Sequence, residues 1–334
     1  MTLPVGKLPA ELLARLLRLC PDDPRVLVGP GIGQDAAALD FGGQVVVAKT
    51  DPITFAADRI GWYAVNVNAN DVACLGATPR FFLATVLLPE GGADAAMAEG
   101  IFQDIARSCR ALGVTLCGGH TEITYGLDRP IVVGQMLGEV ARDRLVSNDR
   151  SEVGDEVILT KGIAIEGTSI IAREKGEELA DALDAALLER ARGFLDEPGI
   201  SVVRDAAAVC SVAHPHALHD PTEGGLATGL HELADAAGVG VEVDAEAIDV
   251  LPETHALCSH YGLQPLGLIA SGALLAVTAP ADTAAALDAL AAAGIRAARI
   301  GRIVPRDEGV TIRWPGGRHP LPRFDSDEIA KLFA

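Results

Sequence analysis

Three asparagines and one aspartate lie inside a helical segment that is otherwise apolar, and this run constrains the fold more than any other feature of the sequence. Residues 62–75 carry small apolar side chains at helical spacing, and the polar run within them is Asn66-Val67-Asn68-Ala69-Asn70-Asp71. Asparagine lowers helix propensity, and a buried amide without a hydrogen-bond partner costs free energy. The run therefore favours a functional site over an incidental helix surface.

Strands and helices alternate in both halves of the chain, which predicts the α/β sandwich class but no doubly wound sheet, because the order is irregular. The pattern restarts near residues 151–155, so we predict two domains, over residues 1–148 and 149–334. Hydrophobic periodicity predicts strands at residues 44–49, 80–88, 114–117, 131–140 and 273–277, and helices at 8–19, 62–75, 93–112, 177–194 and 282–293.

Three further polar clusters of the first half occur at turns or where predicted strands end. Asp35 follows a glycine-rich turn, Lys49-Thr50-Asp51 ends a strand, and Gly118-Gly119-His120-Thr121-Glu122 follows another. Acids at separate strand ends can converge on one edge of a sheet, Mg²⁺ prefers oxygen ligands, and glycine pairs let backbone N–H groups approach phosphate oxygens. Each cluster alone also has a structural interpretation, as a helix cap or a turn.

A fifth cluster lies in the second half, over residues 219–227 (HDPTEGGLA). Asp220 and Thr222 indicate a helix start, which is either a capped helix with a glycine-tight entry at Gly224 and Gly225 or an anion-binding helix N-terminus that faces the first domain. The nearby histidines, at positions 214, 216 and 219, flank Pro215 and are interpreted as part of a surface loop rather than as a zinc site.

Composition excludes several function classes. The formal net charge of -19 and the absence of Lys/Arg clusters argue against a nucleic-acid partner and against an anionic membrane surface. No long uninterrupted apolar run predicts a membrane span, and the N-terminal residues do not resemble a signal peptide. The six cysteines form no CxxC pair and are interpreted as reduced thiols, so a cytoplasmic location is expected.

The clusters, in their order along the chain, resemble the aminoimidazole ribonucleotide synthetase (PurM-like) superfamily, and most of all its HypE proteins. Residues 70–83 (NDVACLGATPRFFL) are similar to the family's Asn-Asp helix and following strand. Gln34-Asp35-Ala36-Ala37 resembles an Asp-Asp-Ala-Ala element, Thr50-Asp51 matches a Thr-Asp element, and residues 220–227 (DPTEGGLA) resemble the Asp-Pro-Thr-Arg-Gly-Gly-Leu-Ala of HypE.

The resemblance implies an N-terminal domain that pairs with a second copy in a β-barrel-like homodimer core, and a C-terminal α/β domain. It also implies ATP and Mg²⁺ between the domains, with Asp35, Asp51 and Asp71 near the metal. The catalytic candidates are Asp71, His120 and Glu122. The candidates for cofactor binding share a place in one of the five clusters; they are Asp35, Lys49, Asn68, Asn70, Gly118, Gly119, Thr121, Asp220, Gly224 and Gly225.

Three departures from the HypE pattern leave the reaction open. His120 stands where the relatives have an acid, with Glu122 as the replacement candidate; Glu223 replaces an arginine; and the sequence ends without the terminal cysteine that accepts the carbamoyl group in HypE. We therefore expect a HypE-like ATP-dependent enzyme that activates a carbonyl or amide oxygen of an unassigned acceptor. The alternatives are a small-molecule kinase similar to thiamine-monophosphate kinase and a non-catalytic nucleotide-binding assembly protein.

Overall fold

The computed structural model describes residues 12, 23–29, 34–54 and 58–333, and these residues contain two β-sheets with helices packed against them. The first sheet has six strands: β1 (Val26–Val28), β2 (Ala37–Asp40), β3 (Val45–Ile53), β4 (Thr78–Pro89), β5 (Thr115–Thr124) and β6 (Ile131–Val140). Their order is β1-β2-β3-β6-β4-β5, so β5 lies at an edge. Neighbouring strands are antiparallel, except that β4 and β5 are parallel.

Two helices belong to this half, α1 (Ile60–Cys74) and α2 (Ala95–Leu112). Helix α1 is the segment with the polar run, and 13 of its 15 residues are buried, as expected of a helix that is apolar around most of its circumference. Glycines make its close packing possible. A Cβ at Gly138 of β6 would lie 2.3 Å from a Val72 methyl group, and a Cβ at Gly61 would lie 2.4 Å from the Ile101 carbonyl of α2.

The second sheet has seven strands: β7 (Glu156–Thr160), β8 (Ala217–His219), β9 (Gly240–Asp244), β10 (Leu275–Thr278), β11 (Ala297–Val304), β12 (Val310–Trp314) and β13 (Gly317–Pro320). Their order is β13-β12-β9-β11-β7-β10-β8, and only β12 and β9 are parallel. The helices of this half are α3 (Ile165–Glu174), α4 (Gly176–Leu179), α5 (Ala185–Arg192), α6 (Val203–Val212), α7 (Gly225–Ala237), α8 (Pro252–Tyr261), α9 (Pro280–Ala292) and α10 (Ala330–Phe333).

The end of α1 joins the two halves. Ala73 and Cys74 belong to the same core cluster as Ile158 of β7 and Leu218 of β8, so the last turn of α1 packs into the second sheet's core. Because Asp71 lies one turn before this end, the polar run reaches the contact between the two sheets.

Several predicted elements are confirmed with shifted ends, and others need correction. The predicted helix over 177–194 is divided, because Asp184 caps a new helix by accepting a hydrogen bond from Leu187 N at 3.0 Å. Strand β3 continues past Asp51, so this residue lies within a strand. The glycine pair at 118–119 lies inside β5 beside a register shift, where a Cβ on Gly119 would meet the Ala84 carbonyl at 2.0 Å. The predicted helix over 8–19 lies outside the described residues, apart from Leu12.

The expected α/β class holds, with both sheets mixed and open in the described part of a single chain. Among the same residues, no helix is both long and apolar enough to cross a membrane. The five described cysteines are free thiols.

Candidate functional site

The candidate site lies where α1 and β3 of the first half meet β8 of the second. Lys49 of β3 extends toward α1, and its Nζ lies 2.9 Å from Asp71 Oδ2 and 3.5 Å from Asp51 Oδ2. Burial raises the pKa of Asp71 well above its usual range, against the attraction of Lys49, and Asp220 and Asp35 raise it further. Burial alone would lower the pKa of Lys49, but Asp71 and Asp51 together raise it.

A second group of donors adjoins this ion pair. One donor atom from each of Asp35, Cys74 and Asp220 lies within 4.8 Å of the others. Asp220 is only 2% exposed, and burial, with Asp35 nearby, raises the pKa of its carboxyl to about 7. The Cys74 thiol lies one helical turn after Asp71 and 3.5 Å from Asp220 Oδ1; burial and the nearby acids raise its pKa as well. The group therefore places two carboxyl groups and a thiol, all possible metal ligands, close together in a buried place.

Side chains from outside its own segment hold Asp35 in position: His219 of the second half, and Asn148 of the segment between β6 and β7. His219 Nδ1 lies 2.9 Å from Asp35 Oδ1, and Asn148 Nδ2 donates to Asp35 Oδ2 at 3.3 Å. The other ring nitrogen of His219 lies 3.0 Å from Glu232 Oε2. Burial would lower the pKa of His219, but Asp35 and Glu232 together raise it well above its usual value. The surface-loop interpretation of this histidine was wrong: it ends β8 and is 5% exposed.

The donor chemistry of the cluster fits a divalent cation. Asp71 and Asp220 are carboxyl groups whose pKa values are raised first by burial and then by neighbouring acids, and a cation bound beside them and Asp35 would stabilise their charged forms. Asn68 Oδ1 is also buried without a hydrogen-bond partner among the described residues, although its Nδ2 donates to the Ala64 carbonyl at 2.8 Å and to the Asp51 carbonyl at 3.3 Å. Oxygen donors of this kind suit Mg²⁺.

The polar residues of α1 make two kinds of contact: some bind backbone groups, and Asp71 lies in the buried cluster. Asn70 uses both atoms of its amide to bind the second half, since Nδ2 donates to the Ile200 carbonyl and Oδ1 accepts from Val202 N, each at 2.8 Å. Asn66 donates to the Trp62 carbonyl one turn earlier. Asn70, which we predicted to bind a cofactor, thus serves as a contact between the halves, and Asp71 is the member of the run that lies in the cluster.

The glycine-rich cluster on β5 lies elsewhere in the chain. Asp51 pairs with Gly134 of β6, Gly134 with Ala84 of β4, and Ala84 with Gly119, so three strand spacings, about 14 Å, separate Asp51 from Gly119. His120 and Glu122 are exposed and face each other, with Nε2 and Oε2 3.2 Å apart. Within one chain, the structure does not bring Gly118, Gly119, His120, Thr121 or Glu122 to the buried cluster, so their roles remain predictions.

The N-terminus of α7 is occupied by a carboxylate of the same chain, that of Asp327. The helix begins at Gly225 after a left-handed Gly224, and Gly224 N donates to Asp327 Oδ2 at 2.7 Å. Asp327 also accepts from Ile269 N and Ile329 N through its other oxygen. The expectation that Asp220 starts this helix was wrong, because Asp220 points into the cluster beside Cys74.

Four residues of the site carried no recognised signal in the sequence. Cys74, Asn148 and Glu232 lie in ordinary helical or turn segments, and His219 was grouped with two neighbouring histidines. The position of His219 directly before Asp220 was a usable signal, because adjacent residues at a strand end reach the same region. The other three depend on contacts between segments distant in sequence.

Comparisons with known proteins agree with this architecture. The protein-family model of the N-terminal domain of AIR synthase related proteins matches residues 33–140, and the family model of their C-terminal domain matches residues 152–313. The carbamoyl dehydratase HypE of Rhizobium leguminosarum bv. viciae is 31% identical, in an alignment that covers 87% of this chain and 86% of that protein. A crystal structure of the hydrogenase maturation protein HypE in complex with ATP has a TM-score of 0.73 and 27% identity, and covers 98% of each chain.

The thiamine monophosphate kinase of Aquifex aeolicus has a TM-score of 0.66 at 19% identity, over 86% of this chain and 92% of that one, which is a likeness of fold alone. The superfamily resemblance that we drew from the order of the motifs is confirmed by the two domain matches.

Proposed function

Because the chain belongs to the AIR synthase-related protein family, we propose that it is a HypE-like enzyme that binds Mg-ATP at the buried cluster and uses it to activate a carbonyl or amide oxygen. The observation that carries the proposal is that Asp35 and Asp220 converge beside Cys74, one helical turn from Asp71 and its ion pair with Lys49, at the contact between the two sheets. The similar HypE structure that contains ATP supports the choice of nucleotide.

Each residue of the cluster has a role that follows from its place. Asp35, Asp71 and Asp220 would hold Mg²⁺, with Asp51 at the more open side near Lys49. Bound Mg-ATP supplies a transferable phosphoryl group whose charge the metal neutralises. Lys49 provides a fixed positive charge beside the carboxylates, and its ion pair with Asp71 keeps it oriented. The burial of these groups strengthens their electrostatic interactions and limits the access of water.

The names of the relatives favour one reaction class for the acceptor. This class is the dehydration of a carboxamide to a nitrile, R–CONH₂ + ATP → R–CN + ADP + phosphate. The amide oxygen becomes one of the oxygens of the released phosphate. The relatives named carbamoyl dehydratase support this class. A kinase reaction, supported only by the fold of thiamine monophosphate kinase, would instead leave the phosphoryl group on the acceptor oxygen.

The nucleotide site is tested by calorimetric titration with a non-hydrolysable ATP analogue, with and without Mg²⁺. We expect Mg-dependent binding by the wild type and a loss of at least about tenfold in affinity for Asp71→Asn, which keeps the shape of the side chain but removes the negative charge that would bind the metal. Asp94→Asn is the matched control, because Asp94 caps α2 and asparagine caps equally well. A folded wild type that binds no analogue contradicts the proposal.

The reaction class is tested by the fate of an ¹⁸O label in the acceptor carboxamide. Dehydration places the label in inorganic phosphate, whereas a kinase acting on a hydroxyl acceptor yields a phosphorylated product. ATP binding without turnover of any acceptor in such a screen, together with altered assembly for Asp71→Asn, would support the non-catalytic alternative.

The proposal includes a homodimer formed through the first half. Strand β5 is a ten-residue edge strand; Ile123 within it is 66% exposed, and Tyr125, directly after it, is 84% exposed. An edge strand of this length can pair with another chain. Multi-angle light scattering at low micromolar concentration should give a dimer, and a monomer at that concentration would contradict it.

A further inference from the structure

We infer that His219 is a positioning residue for the metal site: it holds the Asp35 carboxylate in place from the second half of the chain, with Glu232 fixing the ring from behind. The inference rests on the proposed function, since it concerns the carboxylate that would bind Mg²⁺.

The ring of His219 is fixed by carboxylates on both sides. Its Nδ1 lies 2.9 and 3.1 Å from the two oxygens of Asp35, and its Nε2 lies 3.0 Å from Glu232 Oε2. Because both nitrogens have partners, rotation of the ring would break at least one of these contacts. The side chain is 6% exposed, so water cannot readily replace the lost partner.

His219 lies on a strand and Glu232 on a helix, whereas the segment that carries Asp35 is not part of a strand or helix. His219 pairs with Leu275 of β10 in the second sheet, and Glu232 lies on α7, whose apolar face packs in that sheet's core. Gly229 of α7 leaves room for Pro221, because a Cβ there would lie 2.9 Å from Pro221 Cβ, and His219 Cδ2 would lie 3.4 Å from the same Cβ. Asp35 precedes β2, so its position depends on contacts from outside.

Those outside contacts come from His219 of the second half and from Asn148 of the segment between β6 and β7. Asn148 donates to Asp35 Oδ2, and its own Oδ1 accepts from Leu218 N, directly before His219. The segment before β2 therefore supplies the carboxylate, and His219 and Asn148 set its orientation. Partners of this kind orient metal ligands, and their loss typically costs about 10- to 100-fold in metal affinity. His219 acts through Asp35 and is not itself placed against the nucleotide.

The test measures Mg²⁺ affinity from the dependence of analogue binding on the concentration of free Mg²⁺, by calorimetric titrations of the full chain with the non-hydrolysable ATP analogue. His219→Leu should weaken Mg²⁺ binding about 10- to 100-fold. His219→Gln, which retains one donor for Asp35, should recover part of that loss. His216→Leu is the matched control, because His216 forms a similar pair with Asp155 (2.7 Å) just before β8, and should change Mg²⁺ affinity by less than about threefold.

The outcomes separate this inference from the proposed function. A wild type that binds no analogue defeats the proposed function and the inference with it. Normal binding by the wild type and by a folded His219→Leu variant, with unchanged Mg²⁺ dependence, overturns the inference alone. If His219→Leu does not fold, Glu232→Gln decides: weaker Mg²⁺ binding by this folded variant supports the inference, and unchanged Mg²⁺ binding overturns it.

Discussion

The buried cluster at the contact between the sheets and the exposed cluster on β5 contain similar residue types in opposite environments. In the buried cluster, Lys49 and Asp71 form an ion pair with side chains 22% and 8% exposed. On β5, the side chains of His120 and Glu122 are 67% and 51% exposed. Charges that water can solvate depend little on each other, whereas buried charges depend on their partners. The two regions should therefore respond very differently to the loss of one charge.

The largest effect is expected for Lys49→Met. This change leaves Asp71 buried without its counter-charge and should lower the free energy of unfolding by about 3–5 kcal/mol at neutral pH. Urea unfolding of the metal-free protein measures the difference. Arg107→Met is the control, since its pair with Asp104 lies at the surface and should contribute less than about 1 kcal/mol. Equal effects of the two substitutions would remove the contrast between buried and exposed charges.

A smaller effect is expected at Glu166, a buried acid of α3 near the same contact. Burial raises the pKa of its carboxyl to about 7 from an ordinary value of 4.5, although the Ser271 hydroxyl donates to it. The folded state thus binds this proton more tightly than the unfolded state, so the contribution of Glu166 to the free energy of unfolding is greatest below pH 4.5 and falls as the pH rises to about 7. Glu166→Gln should remove up to about 3 kcal/mol of that loss.

The measurement is the difference in unfolding free energy between Glu166→Gln and the wild type at pH 5 and at pH 8. The variant should be the more stable protein at pH 8 and nearly equal to the wild type at pH 5. Glu246→Gln, a substitution at an exposed acid, should give no such pH-dependent difference. A gain that is the same at both pH values would show that packing, not ionisation, is responsible.

Which parts of the fold and the site could be predicted from the sequence depends on whether they are local or depend on contacts between distant segments. Local patterns predicted α1, β6 and the acids of each cluster, because periodicity and residue type are properties of short segments. They did not separate Asn70 from Asp71, which are adjacent in sequence but point about 100° apart on the helix. Nor did they pair His219 with Asp35, 184 positions apart, or Gly224 with Asp327, 103 positions apart. Such pairs are set by how the halves pack together.

The smallest effect is expected on β5. Replacing His120 and Glu122 by alanine, singly and together, should give a coupling energy below about 1 kcal/mol in a double-mutant cycle, because both side chains are exposed. Within one chain, β5 lies three strand spacings from β3, the strand that carries Lys49 and Asp51. In a monomer, His120 and Glu122 therefore cannot contact a nucleotide phosphate held by Lys49. If these substitutions nevertheless weaken analogue binding as much as Asp71→Asn, β5 must contribute to the site of a second copy, and the two clusters would then form one site across a dimer.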